Sequence, residues 1–316
     1  MIARQSVWSD ETVQKLLKDF VPCADEVWRL YNRPDPDCKF FQGFCDEGGM
    51  LNGQGMDKTT TRQGTYCCTP SGKFLGSANS RQPMVIAKLL RDSLKKWKAL
   101  KKEDRLLDYD PADKVKDIDR AESHYPKNGM VLKVNSRDMP REGLNENDWR
   151  TNAWNFDFAW FNKDEVESML PKKFEKNAEW DLPDALVQRV ARLHLLDNVR
   201  GQTSIFPKDA VKAAAVKCKV EKIKKGVVYF DMTGEVKLEE GNRGLDASIL
   251  GKGEYSVKDR KFTRFELVVV GDRWGSTRYN AREDDTAKAP IGYCLQIASD
   301  KPTDKVAPAS FWEYGW

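Results

Sequence analysis

Five of the seven cysteines, Cys23, Cys38, Cys45, Cys67 and Cys68, fall in the first 68 residues, and only Cys218 and Cys294 lie beyond them. A thiolate is both a nucleophile and a ligand for soft metals, so any sulfur chemistry belongs to the amino-terminal third. Cys67 and Cys68 are adjacent, and adjacent side chains on a strand point to opposite faces, so they read as one core thiol and one partly exposed thiol. Cys38 and Cys45, joined by one of that pair, would be the set for a soft metal or a redox disulfide. Six residues separate Cys38 from Cys45, however, and zinc knuckles use two to four. Cys23, Cys67 and Cys68 are therefore the catalytic candidates, Cys38 and Cys45 the metal candidates, and no cofactor is expected.

Two further clusters carry charge with a ring. Arg189, Arg192, His194, Asp197, Arg200 and Gln202 crowd one stretch, in which His194 and Asp197 stand three apart and can meet on one helical face. Such a pair with arginines suits acid–base work or anion binding, and equally an ion-pair network between domains. After Gly271 come Arg273, Trp274, Arg278, Tyr279 and Arg282, a set able to stack a planar ligand or meet an acidic partner, or to pack under a loop. The binding candidates are thus His194, Asp197, Arg200, Arg273, Trp274 and Arg278. No Walker A, Rossmann fingerprint or G-x-S-x-G occurs, and the glycine-rich stretch 43–55 lacks the lysine and hydroxyl of a phosphate loop. An NTPase or dinucleotide enzyme is not expected.

The elements that must position these residues follow from periodicity. Ser9 is a plausible N-cap for a helix over 10–19, and a short second helix starts at Cys23 and ends before Pro34 and Pro36. Residues 35–61, with Gly43, Gly48, Gly49, Gly53 and Gly55, read as an irregular loop. A strand over 65–69, a Pro70-Ser71-Gly72-Lys73 turn and a short strand at Phe74-Leu75 lead to an amphipathic helix over 83–100, with Ile86, Leu90, Leu94 and Trp97 on one face. Residues 101–120 mix charges as a solvated connector, which puts a boundary near 105. Beyond it lie a strand at 130–134, an aromatic run at 154–161 and a helix over 183–199. From residue 213 the period becomes two, with strands near 216–220, 227–232, 235–238, 262–270 and 291–297 separated by glycine turns. The class is α+β, with domains 1–105, 106–212 and 213–316, the last an antiparallel meander closing toward a sandwich or barrel.

Strand, turn, strand and helix in that order, with Cys23 at a helix start and Gly64-Thr65-Tyr66-Cys67-Cys68 opening the strand, resembles the end of a thioredoxin-like domain. In that family a C-x-x-C motif at a helix N-terminus faces a cis-proline. Here the tetrad is Cys23-Ala24-Asp25-Glu26 and Gly64 holds the proline position, 41 residues on (64 minus 23). A dithiol cannot cycle through that tetrad, and the neighbouring acids would raise the Cys23 pKa. The resemblance implies a non-catalytic thioredoxin-like binding or assembly module. Its alternative is a thiol redox protein in which Cys23 attacks and Cys38, Cys45, Cys67 or Cys68 resolves.

Composition bounds the rest. A chain of 316 residues, 40% apolar and 32% charged, suits two globular domains. Its net charge of +4 comes from 53 basic and 49 acidic residues finely mixed, so no nucleic-acid footprint is expected. No apolar run approaches the ~20 residues that span a bilayer, and no leader or anchor is expected from the first ten residues. An odd cysteine count argues for reduced thiols and a cytoplasmic setting, with a protein partner or small ligand.

Overall fold

Asp10 starts the described fold: its carboxylate accepts hydrogen bonds from Thr12 N (2.9 Å) and Val13 N (3.0 Å) and so caps helix α1, Glu11–Leu17. The cap is one residue later than Ser9. This computed structural model describes residues 7–24, 27–48, 51–52, 60–61, 64–107, 120–143 and 148–316, and the chain divides into two compact units, Met1–Asp119 and Arg120–Trp316. The division falls after Asp119 rather than near residue 105, and residues 101–119 of the expected connector belong to the first unit.

In the first unit α2 spans Val27–Asn32, so Cys23 lies ahead of the helix and not at its first turn. The expected loop at 35–61 holds a helix instead, α3, Pro36–Gly48. Proline suits a first helical turn, Asp35 Oδ1 accepts from Cys38 N (3.1 Å), and Cys38 and Cys45, two turns apart, are both fully buried. The glycines concealed this: Gly43 faces open space and does not interrupt the buried stripe. Short strands β1 (Leu51–Asn52) and β2 (Thr60–Thr61) pair antiparallel, as do β3 (Thr65–Cys68) and β4 (Phe74–Ala78). In the β3–β4 turn Gly72 has φ +84°, a backbone that needs glycine. Helix α4, Pro83–Ala99, lays Ile86, Ala87 and Leu90 on Cys67 and Leu75 of the hairpin and on Val13 of α1. A short α5, Lys102–Arg105, follows.

The second unit is one eight-stranded antiparallel sheet. Its strands are β5 (Met130–Asp138), β6 (Trp154–Phe161), β7 (Glu179–Asp181), β8 (Val211–Lys224), β9 (Val227–Glu240), β10 (Arg243–Ser256), β11 (Lys261–Trp274) and β12 (Ala289–Ile297), in the order β6-β5-β12-β11-β10-β9-β8-β7. The runs expected at 227–232 and 235–238 are one strand, because Gly234 lets β9 pass Ala215 O, 2.1 Å from where a Cβ would sit. Strand β10 has no counterpart in the sequence reading, its alternation being interrupted by Gly244, Gly251 and Gly253. Helix α6 (Lys163–Ser168) is closed by a capping box between Asn162 and Glu165.

Helix α7, Asp184–His194, buries Leu186, Val187 and Ala191 on one face of the sheet. It touches β6 at one edge and β8 beside the other, so the sheet curls around the helix. The edge strands β6 and β7 do not pair with each other, so this is neither a sandwich nor a closed barrel: the helix occupies the interior a second sheet would have filled. The space left between helix and sheet is an apolar cavity of about 40 Å³. That is room for little more than one water, far below the ~300 Å³ of a small-molecule site. The opposite face of β5 and β6 is covered at Val131, Phe158 and Trp160 by Phe311. No described helix is long and apolar enough to cross a membrane.

Candidate functional site

The cysteines do not assemble. Cys38 and Cys45 lie on one helix about 10 Å apart along its axis, too far to share a metal at ~2.3 Å or to form a disulfide. Cys38 Sγ instead donates to Asp35 Oδ2 (3.2 Å) and Arg29 O (3.4 Å). Among the described residues no group of three or more His, Cys, Asp or Glu could hold a metal ion. Cys67 is buried and Cys68 half-buried, on opposite faces as alternation demands, with a register irregularity between them. Burial pushes the Cys67 thiol up. Burial also raises Cys68, helped by the charges of Cys67 and Cys23. Raised thiols are poor nucleophiles at neutral pH.

The arginines of both sequence clusters converge, but inward. Arg282, fully buried, holds Asp138 through Nη2–Oδ1 (2.6 Å) and Nη1–Oδ2 (2.9 Å), and Asp197 through Nη2–Oδ1 (2.7 Å) and Nε–Oδ2 (2.8 Å). Arg200 reaches Asp138 (2.9 Å) and Asp285 (2.9 Å), Arg141 reaches Asp285 (2.6 Å), and Arg273 pairs with Asp285. Arg200 Nη2 lies 2.7 Å from Asp138 Oδ2 without hydrogen-bond alignment, and Arg273 Nε stands 4.0 Å from Asp197. Burial alone would raise Asp138, yet Arg282 and Arg200 hold it below the usual carboxylate range. Burial likewise opposes ionisation of Asp285, but Arg141, Arg273 and Arg200 bring it down to about 2. Carboxylates held ionised and saturated by guanidinium groups cannot shuttle protons. The network lies inside the second unit, where it ties the segments after α7 and β11 to β5.

His194 and Asp197 do not meet, because α7 ends at His194. His194 Nδ1 lies 2.9 Å from Asp157 Oδ2 and Nε2 lies 2.6 Å from the Tyr314 hydroxyl, which also accepts from Trp160 N (3.1 Å). A carboxylate, an imidazole and a hydroxyl in line have the order of a nucleophile-activating relay. Here the hydroxyl is a phenol whose pKa burial raises, and all its neighbours are protein groups. Arg189 stands 4.3 Å over the Tyr314 ring and pairs with Glu165, so the arrangement fastens segment 307–316 to the sheet. Trp274 packs against Gly244 beneath Lys288 (5.0 Å), and exposed Arg278 lies 5.2 Å over Tyr279.

The site with open space lies on the face of the sheet turned away from α7. Val268 and Val270 of β11 point outward, 50% and 42% exposed, while Leu267 and Val269 are buried. Pairing places Val268, Cys294 and Asn135 in one cross-strand row and Val270, Gly292, Arg137 and Trp154 in the next. Three inter-strand spacings of ~4.8 Å make the second row about 14 Å long. At its centre Gly292 adds no side chain, and Met139 lies over it, its Sδ 2.8 Å from where a Cβ would be. The result is a groove of about 470 Å³, walled by Trp154 and Asn152 at one end and floored by valines at the other. Trp154 is 47% exposed and stacks on Phe156 at 5.9 Å. Arg137 Nε donates to Asp138 O (3.3 Å), and among the described residues no carboxylate pairs with its guanidinium.

None of these groove residues was a site candidate from sequence. The available signal was Leu267-Val268-Val269-Val270, apolar on both faces where β8 alternates valine with lysine. No protein-family model, curated protein or solved structure matches this chain.

Proposed function

We propose that the chain is a non-catalytic, two-unit binding protein whose β-rich unit takes a small ligand in the groove between β11 and Trp154. The observation that carries this is an open groove of about 470 Å³ where an exposed indole adjoins the polar side chains of Arg137, Asn135 and Asn152. Its volume falls within the ~300–1,000 Å³ of small-molecule sites, and its few polar groups on an apolar floor are the usual composition of one. The amino-terminal unit serves as a thioredoxin-like assembly module in this reading. Its support is the β3–β4 hairpin followed by α4 packed upon it, with cysteines that are all free, as in a reducing cytoplasm. Ligand-observed NMR with a fragment library tests the binding reading: hits lost on Trp154→Ala or Val270→Asp support it, and hits indifferent to both variants, or none at all, overturn it.

A second reading is favoured by the accessibility of two thiols of the amino-terminal unit, Cys23 exposed and Cys68 half-exposed. Of the proposed resolving thiols, Cys38, Cys45 and Cys67 are buried and Cys68 alone is half-exposed. Cys23 thiolate would attack a partner disulfide, releasing one partner thiolate, and Cys68 would then attack the Cys23 sulfur, releasing the second. Two electrons pass to the partner and a Cys23–Cys68 disulfide remains. Peptide mapping after exposure to oxidised glutathione decides it: that crosslink supports the reading, and glutathione stably retained on Cys23 removes it.

A further inference from the structure

We propose that the groove selects a small aromatic anion, a carboxylate or sulfonate on a planar apolar body, with the anion on Arg137 and the ring between Trp154 and Val270. This rests on the ligand-binding reading above and adds the chemical class.

Charge is the first argument. Among the described residues lining the groove, Arg137 is the one charged side chain. Its Nε is taken by the Asp138 carbonyl, so the two Nη groups present the free edge of the fork. A carboxylate or sulfonate fits that edge through paired, charge-assisted hydrogen bonds. Elsewhere on this face Lys133 pairs with Asp304 at 3.2 Å and Glu266 with Arg264 at 2.6 Å, and the exposed Asp272 lies two residues beyond Val270 on β11, outside the groove lining. Among the described residues lining the groove, none neutralises Arg137. A cationic ligand would be repelled, and a polyphosphate would bring more charge than one guanidinium offsets.

Shape is the second. Gly292 stands between Val270 and Arg137 in the cross-strand row, and the Met139 thioether lies over it as part of the groove lining. The Trp154 indole, itself stacked on Phe156, supplies an aromatic wall at the end of that row. A planar ring there buries apolar area against the valines and meets the indole offset or edge-on. A strongly hydroxylated ligand would leave Val268 and Val270 unused. The Asn135 and Asn152 amides can each bond a polar substituent on the ring's rim.

The test uses the full chain and two fluorescent probes alike in rings but not in charge: anilinonaphthalene sulfonate and uncharged N-phenylnaphthylamine. Arg137→Gln is expected to weaken the sulfonate at least about tenfold, the equivalent of ~1.4 kcal/mol, and the uncharged probe less than about twofold. Trp154→Ala is expected to weaken both, and naphthoate to displace the sulfonate and slow alkylation of exposed Cys294. Sulfonate binding unchanged in Arg137→Gln but lost in Trp154→Ala would refute the anion class and leave the binding site standing. Binding of both probes unchanged in Trp154→Ala, or absent from wild type, would remove the binding reading itself. Circular dichroism shows each variant folded, and Val270→Asp, at an exposed position, gives a second disruption of the floor.

Discussion

Arg282→Met removes a guanidinium that is fully buried and bonded to two carboxylates at once, through contacts of 2.6 and 2.9 Å to Asp138 and 2.7 and 2.8 Å to Asp197. Asp138 keeps Arg200 at 2.9 Å, but Asp197 is left with Arg273 at 4.0 Å and Asn280 at 3.5 Å. One carboxylate is thus stranded in a site built for a cation. Breaking a buried pair from one side costs about 3–5 kcal/mol, and the partial compensation of Asp138 argues for the lower half of that range. Urea unfolding followed by tryptophan fluorescence at pH 7 measures it. The double variant with Asp197→Asn is expected to be more stable than Arg282→Met alone, because the stranded charge has gone. A loss under about 1 kcal/mol, or strictly additive effects of the two substitutions, would refute the view of these groups as one coupled network.

The acid limb of the wild type follows with the opposite sign. Asp138 and Asp285 are lowered on folding, Asp285 to about 2, so their stabilisation is complete above the unfolded value of ~3.9 and lost as pH falls from there toward 2. Acid titration by circular dichroism checks this, and flat stability down to pH 2 would contradict it. Tyr314→Phe deletes the bond to His194 and the acceptor for Trp160 N, a loss of about 1–2 kcal/mol seen as faster exchange of the Trp160 amide. Gly201→Ala would put a Cβ 1.8 Å from Tyr279 O, and about 2 kcal/mol or more of destabilisation is expected in a melting experiment. With Ellman's reagent on folded protein, exposed Cys23 and Cys294 react first, Cys68 later, and Cys38, Cys45, Cys67 and Cys218 only on unfolding, with Cys218 further retarded by a pKa pushed up to about 12.

What could be read without coordinates was periodic. Ile86 and Leu90 declared α4, and Val216, Cys218 and Val220 between lysines declared β8, because burial on one face imposes a repeat of 3.6 or 2. Helix α3 and strand β10 were illegible because glycines occupy positions their periods leave open or crowded, and composition weighs glycine as a breaker. The charged clusters were legible as clusters. Their direction was not: Arg200, Arg273 and Arg282 come from three segments, and nothing local says that Asp138 waits for them in the interior.

The sequence by itself determined the mixed α and β class, the antiparallel repeat after residue 213 and the separation of the two cysteines on β3. These depend on neighbours a few positions apart, where side-chain direction follows from the backbone. Only tertiary structure decided that the sheet curls around α7 and fills its own interior, that the arginines are spent on aspartates, and that Val270, Gly292, Arg137 and Trp154 share a row. That row joins residues from four strands, and register between distant strands is set by the packing of the opposite, buried face.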